Sequence, residues 1–312
     1  MFEEFFGFTT KPFGKTPDPG FLYESPQHGE ALARLEYAVE EKELSLLVGE
    51  IGSGKTTLSR ALIDRIGETR PVILLINPRL TPTQLLRSIA SGLGQQPARY
   101  RNDLLDQIHT RLFELYEAGR EPVLIIDEAQ LIPTKSTFDE IRLLTNFQLD
   151  DQNLLSVLLI GQPELETRLE RAAYAPLRQR IGMRYRLGPL SLEETTRYVQ
   201  HRLEVAGSKR NPFTDDALRS MHAISGGIPR VINTLATTAL LDAFGDDAST
   251  IDAARISAAA REHRLRDTTA GVGGRESGVG DKASSAGVGS RESGVGDEPS
   301  SSREKRIEQS HG

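Results

Sequence analysis

The chain has 312 residues, 38% hydrophobic and 26% charged, with a formal net charge of -6. That length holds one medium and one small domain around a sizeable core, and the negative balance argues against a dominant nucleic-acid-binding surface. The absence of cysteine excludes disulfides, thiolate nucleophiles and Cys-zinc sites, and the six scattered histidines form no metal-ligand pattern.

The N-terminus carries Glu3 and Glu4 and no basic segment, so it is no signal peptide. The longest apolar runs are strand-length, too short for a membrane span, and the chain reads as soluble and cytoplasmic. From Met1 to about Ser25 the sequence is irregular and aromatic, with Phe2, Phe5, Phe6, Phe8 and Phe13 followed by Thr16-Pro17-Asp18-Pro19-Gly20-Phe21-Leu22-Tyr23. Rings at that density need burial; packing against the main domain is expected, with part of the segment covering a nucleobase. A helical pattern with Ala31, Leu32, Leu35, Ala38 and Val39 on one face runs from Gln27 to about Glu43.

A short apolar strand, Leu44–Val48, then enters Gly49-Glu50-Ile51-Gly52-Ser53-Gly54-Lys55-Thr56, and helical periodicity follows from Lys55 to Ile66. Strand, glycine turn and helix are the context in which G-x-x-x-x-G-K-[ST] forms a phosphate loop. Successive backbone N–H groups from Gly49 to Thr57 and the positive helix end converge on one small volume suited to a triphosphate such as that of ATP. Lys55 supplies a point charge for the outer phosphates, and the Thr56 hydroxyl is a hard oxygen ligand for Mg2+.

Further strands are expected at Val72–Ile76, Pro122–Ile126 and Leu154–Ile160, with helices at Thr81–Leu93, Asn102–Ala118, Thr137–Phe147 and Leu165–Ala172. The alternation implies a parallel sheet covered on both faces. The strand ending at Ile126 runs into Asp127-Glu128-Ala129-Gln130, which puts two carboxylates at a strand's C-terminal edge, where such sheets hold ligands. Asp127 is assigned to Mg2+ and Glu128 to polarising an attacking water. At the tip of the next strand, Gln162 either orients water or touches phosphate, or it is a loop residue with no contact. The run from Pro176 to Leu187 holds Arg178, Arg180, Arg184 and Arg186; a fifth strand at Met183–Leu187 leaves Arg178 and Arg180 at the edge of the domain, unless the run is only a solvated basic face.

From Ser191 the pattern is wholly helical. Ser191-Leu192-Glu193-Glu194 is a capping box opening Leu192–Val205, and three more helices follow, to about Ile224, from Ile228-Pro229-Arg230 to about Phe244, and from about Thr250 to Arg264. Arg230 in a first helical turn opposes the helix dipole and invites an anion, either γ-phosphate or nothing beyond solvent. Beyond Asp267 the segment Gly271–Asp281 recurs nearly unchanged at Gly287–Asp297, a low-complexity repeat without a core-forming face that is expected to be disordered. The expected organisation is a lead-in and helix over 1–43, an α/β nucleotide domain over 44–189, a helical lid over 190–266 and a tail over 267–312.

Phosphate loop, Asp-Glu strand end, polar tip of the fourth strand, paired arginines and a lid with Gly226-Gly227-Ile228-Pro229-Arg230 together resemble an AAA+ ATPase. Phe13–Pro19, Phe21-Leu22-Tyr23, His28 with Ala31-Leu32, Gly49–Thr57, Ile125–Gln130, Gly161–Leu165 and Leu177–Ile181 are more specifically similar to the ExeA, or general secretion pathway protein A, family, over about residues 1–265. The resemblance implies a P-loop fold with a five-stranded parallel sheet flanked by helices and an all-helical lid, with ATP and Mg2+ as cofactors. It further implies Gln162 as a sensor, Arg180 or Arg178 as a finger reaching a neighbour's nucleotide in a homo-oligomer, and Arg230 as the lid's sensor. The function it implies is ATP hydrolysis coupled to a cell-envelope secretion, pilus or exopolysaccharide system. The rivals are a DNA-associated ATPase of the transposition-helper kind and a nucleotide-dependent scaffold with little turnover.

Overall fold

The computed structural model describes residues 2–265 apart from 15–17, 69, 150 and 151. The repeat tail expected over 267–312 lies outside the described residues. Five strands, β1 (Leu44–Gly49), β2 (Val72–Leu75), β3 (Val123–Ile126), β6 (Ser156–Gly161) and β7 (Ile181–Leu187), form one parallel sheet in the order β2-β3-β6-β1-β7. The three inner strands are buried along their whole length, which is why they read as unbroken apolar runs. Alternate residues feed opposite faces: Leu46, Val48, Leu124 and Ile126 join one core, and Leu47, Val123 and Ile125 the other.

Helices α4 (Pro82–Gly92), α5 (Arg101–Glu117) and α6 (Lys135–Leu144) cover the first face, and α2 (Pro26–Glu40) and α3 (Lys55–Ile66) the second. Helix α4 starts at a complete capping box, with Thr81 and Gln84 exchanging side-chain to backbone bonds and Pro82 in the first turn. The polar link before β6 contains a two-residue hairpin, β4 (Gln148–Leu149) and β5 (Gln152–Asn153). Leu154 and Leu155 are buried but precede β6 rather than belonging to it, and β7 starts at Ile181, two residues earlier than its sequence pattern suggests.

Past α7 (Pro163–Leu169) and α8 (Ala175–Arg178), β7 passes into a lid of four helices. These are α9 (Leu192–Val205), α10 (Asp215–Ser225), α11 (Pro229–Gly245) and α12 (Ala253–Glu262). The aromatic lead-in departs from expectation. Phe2–Phe6 is a short helix, α1, and Phe8 and Phe13 are buried in the lid's core, with Phe2, Phe6, Phe21 and Tyr23 packed against it. Of the lead-in's apolar side chains, Leu22 joins the core beneath α2 and α3. Backbone and side chain of Thr9 both bond the Ala206 carbonyl, and Thr237 bonds that of Phe13, so the lead-in is structurally part of the lid. Buried Arg202 completes the attachment: it donates to the Pro12 carbonyl at 2.5 Å and lies over the Phe21 ring at 4.7 Å, with no carboxylate partner among the described residues.

Candidate functional site

The C-terminal edges of β1, β3 and β6 meet at one level, since Val48 pairs with Gly161 and Ile126 with Leu159. After Gly49 the chain turns through Glu50 and the exposed Ile51, then takes positive φ at Gly52 (84°) and Gly54 (106°). Side chains with a Cβ pay heavily for such angles, so the glycine spacing follows from the curl of the loop. Ser53 N–H closes the turn on the Glu50 carbonyl at 3.1 Å, and Gly54 forms the N-cap of α3. Lys55, 5% exposed, lies inside the loop and donates to the Gly49 and Glu50 carbonyls at 2.7 and 2.9 Å. Burial pulls its ammonium below the ordinary lysine value, against the raising effect of Glu128, Asp127 and Glu50.

The Thr56 hydroxyl donates to Asp127 Oδ2 at 3.0 Å, joining stretches 71 residues apart. Asp127, 4% exposed, also accepts the Glu128 N–H on Oδ1 at 2.8 Å. Burial raises its pKa, and the bonds from Glu128 N–H and Thr56 together with the Lys55 charge only partly offset this. Among the described residues this buried carboxylate forms no ion pair; with the Thr56 hydroxyl on one oxygen and the charge of Lys55, the residue before Thr56, acting on it, it belongs to a charge set that a hard cation and a polyanion would neutralise together. Thr56 and Asp127 therefore fit Mg2+, and the loop from Gly49 to Thr57 fits phosphate.

Glu128 follows in left-handed conformation, φ 54°. Its Oε2 accepts the Gln130 amide at 2.5 Å and the Gln162 amide at 3.1 Å. Gln162 is thus in contact with the acidic pair. The Asp-Glu-Ala-Gln run contains Gln130 but gives it no role by itself, because the second of its two partners, the Gln162 N–H, follows a different strand.

From the lid, Arg230 stands in the first turn of α11 and its N–H donates to the Gly52 carbonyl at 3.2 Å. A Cβ added to Gly52 would come within 2.4 Å of Arg230 Cβ, so loop and lid touch backbone to backbone. His28, also without an assigned role beforehand, is buried under the loop. Its Nε2 faces the Ser53 carbonyl at 3.1 Å and therefore bears the proton, while Nδ1 meets the Ser25 hydroxyl at 2.7 Å. Burial lowers its basicity. Beside this histidine a small cavity of about 50 Å3 opens between lead-in, α3 and lid, lined by Phe21, Leu22, Tyr23, Thr57, Tyr198 and Pro229 among others.

Arg178 and Arg180 are not brought to this site. They precede β7, whose first residue Ile181 pairs with Leu44 at the start of β1, so the length of β1, about 20 Å at the usual strand rise, separates them from the phosphate loop. Arg178 donates to the Glu170 carbonyl at 2.9 Å, whereas Arg180 is exposed and has no side-chain partner among the described residues.

Residues 39–169 match the AAA domain family. General secretion pathway protein A of Aeromonas hydrophila is 42% identical over 269 residues, which is 84% of this chain and 48% of that protein. The chain is an AAA+ protein of the general secretion pathway protein A-like family. It spans about half the length of that curated relative. Among solved structures, the AAA+ chain is similar to Cdc6p from Pyrobaculum aerophilum, with a TM-score of 0.63 at 15% identity over 80% of this chain and 70% of that one. Drosophila ORC bound to DNA gives 0.63 at 16% identity (82% and 65%), and the Thermotoga maritima RuvB branch migration motor 0.53 at 18% (77% and 69%). At these identities the likeness concerns the fold.

Proposed function

We propose that this AAA+ protein is a Mg2+-dependent ATPase that turns over as a homo-oligomer in the cytoplasm. Its ATP cycle would drive the assembly or operation of a cell-envelope secretion, pilus or surface-polymer system. The observation that carries the reading is the Thr56–Asp127 contact: two sequence-distant stretches meet with the donor set that a metal-bound triphosphate needs. Bound Mg2+, held by Thr56 and Asp127, would neutralise charge on the phosphates.

The rest is the work of the chain's own groups. Backbone N–H groups of the loop and the Lys55 ammonium bind the phosphates once Lys55 leaves the Gly49 and Glu50 carbonyls. The cavity beside His28 receives the base, and lid and lead-in shield it from water. Glu128 takes the proton of a water whose oxygen attacks the γ-phosphorus in line, while the bridging oxygen departs with ADP. Gln162 orients that water, Arg230 contacts the γ-phosphate from the lid, and Arg180, exposed at the far edge of the sheet, reaches a neighbouring copy's nucleotide.

The secretion assignment rests on the relative's name and identity. The test is ATP hydrolysis by purified protein across a range of protein concentrations. Turnover per subunit should rise with concentration, Lys55→Ala should lose ATP binding, and Glu128→Gln should bind ATP and stall. Wild-type ATP affinity in Lys55→Ala, or normal turnover in Glu128→Gln, refutes the site.

A further inference from the structure

Glu128, Gln130 and Gln162 form a closed circuit. The Gln130 amide gives its N–H to Glu128 Oε2 at 2.5 Å and takes the Gln162 backbone N–H on its own oxygen at 3.1 Å; the Gln162 side chain returns to Glu128 Oε2 at 3.1 Å. A backbone N–H can only donate, so the orientation of the Gln130 amide is settled: its oxygen faces Gln162 and its NH2 faces the carboxylate. One side chain therefore spans the ends of β3 and β6 and holds both the carboxylate and the residue beside it. Both donors occupy the same oxygen, and among the described residues Oε1 receives no hydrogen bond.

The neighbouring chain leaves room for this circuit and for little else. A Cβ at Gly161, the last residue of β6, would approach the Gln130 amide oxygen to 2.9 Å and Leu165 to 2.6 Å, so glycine is required for Gln130 to reach the Gln162 N–H. Glu128 sits at φ 54°, a backbone setting that non-glycine residues hold only when their surroundings over-determine it. The two amides supply that determination at the side chain.

We propose that Gln130 is a positioning residue for hydrolysis: it locks the Glu128 carboxylate so that Oε1 is presented to water, and it fixes Gln162 in the same act. The inference rests on the ATPase reading above and names a residue of that site which acts on the reacting atoms only through others.

Gln130→Met keeps length and flexibility and removes both bonds. Measured at saturating ATP, its kcat should fall at least tenfold while ATP Kd stays within twofold of wild type. Gln162→Met should show a comparable loss, and the double variant should lose no more than the worse single one, as residues of one unit do. Gly161→Ala, a lesion elsewhere, should reproduce the effect by displacing the Gln130 amide. Unchanged or faster turnover in Gln130→Met overturns the proposal, as do losses that multiply in the double variant. Stalling of Glu128→Gln in the same assay shows whether the ATPase reading itself stands. If wild type shows no turnover, the side-chain amide resonances still decide the circuit: Gln130→Met must shift the Gln162 side-chain signal, and an unmoved signal overturns it.

Discussion

Gly52→Ala tests whether the lid is held on the phosphate loop by backbone contact. The substitution places a Cβ on a residue at φ 84°, at about 1–2 kcal/mol for the left-handed setting. The new atom lies 2.4 Å from Arg230 Cβ, and restoring the 3.4 Å of ordinary contact requires a displacement of about 1 Å. Arg230 Cβ is fixed to the first turn of α11 and cannot swing aside, so the Arg230 N–H to Gly52 carbonyl bond is lost, a further ~1 kcal/mol. The expected total is about 2–3 kcal/mol in urea unfolding, together with at least a tenfold loss of ATP affinity by calorimetry, since loop and lid separate. Gly119→Ala is the control, because Gly119 also has positive φ (68°) but nothing within 4 Å; it should cost only the left-handed term and leave ATP affinity unchanged. Equal stability losses in the two variants, with wild-type ATP affinity in Gly52→Ala, would refute the reasoning.

Asp127→Asn should stabilise the nucleotide-free protein while abolishing Mg2+-dependent turnover. Because burial raises the Asp127 pKa, the folded chain holds more protons than the unfolded one just above 3.8; wild-type stability therefore falls as pH climbs through that window, and the variant's pH series should lack this slope. His28 has the opposite sign: its lowered pKa leaves stability intact above 6.5 and removes it as pH falls toward the folded value. His28→Ala should flatten that limb of the unfolding series and weaken nucleotide binding about tenfold, since the Ser53 carbonyl loses its charge-tunable donor. Arg180→Ala should preserve ATP binding but remove the dependence of turnover on protein concentration, and an unaffected rate would eliminate Arg180 as a trans-acting group.

Elements with both a period and a punctuation mark were legible in the sequence to the residue. Lys55–Ile66 follows the glycine turn, and Leu192–Val205 follows the Ser191 capping box; both stand as observed helices with those bounds. The phosphate loop and the acidic pair were legible because strand context turns a short pattern into a geometric statement. The destination of the lead-in rings was not. They have no period, and their ring partners, Phe213 for Phe13, Phe244 for Phe5 and Tyr198 for Tyr23, come some two hundred residues later. Gln130 and His28 escaped for the same reason: a lone polar residue after a strand or on a helix shows its use only when β6 is laid beside β3, or the loop over α2. Arg178 and Arg180 were expected at the edge of the domain; what the β1–β7 register adds is that they lie at the end of β1 away from the glycine turn.

Assigning the lead-in to the lid changes how that lid is hung. It is tethered to the α/β layer twice, through residues 18–25 and through 188–191, and one side chain pins the two tethers together: Gln27, at the start of α2, accepts the Gly188 N–H at 2.9 Å and donates to the Pro189 carbonyl at 3.1 Å. The Arg230 N–H to Gly52 carbonyl bond is a third fastening at a separate place, so the lid has no free hinge: a displacement of the glycine turn passes into the first turn of α11 and from there into the shared core of the four helices.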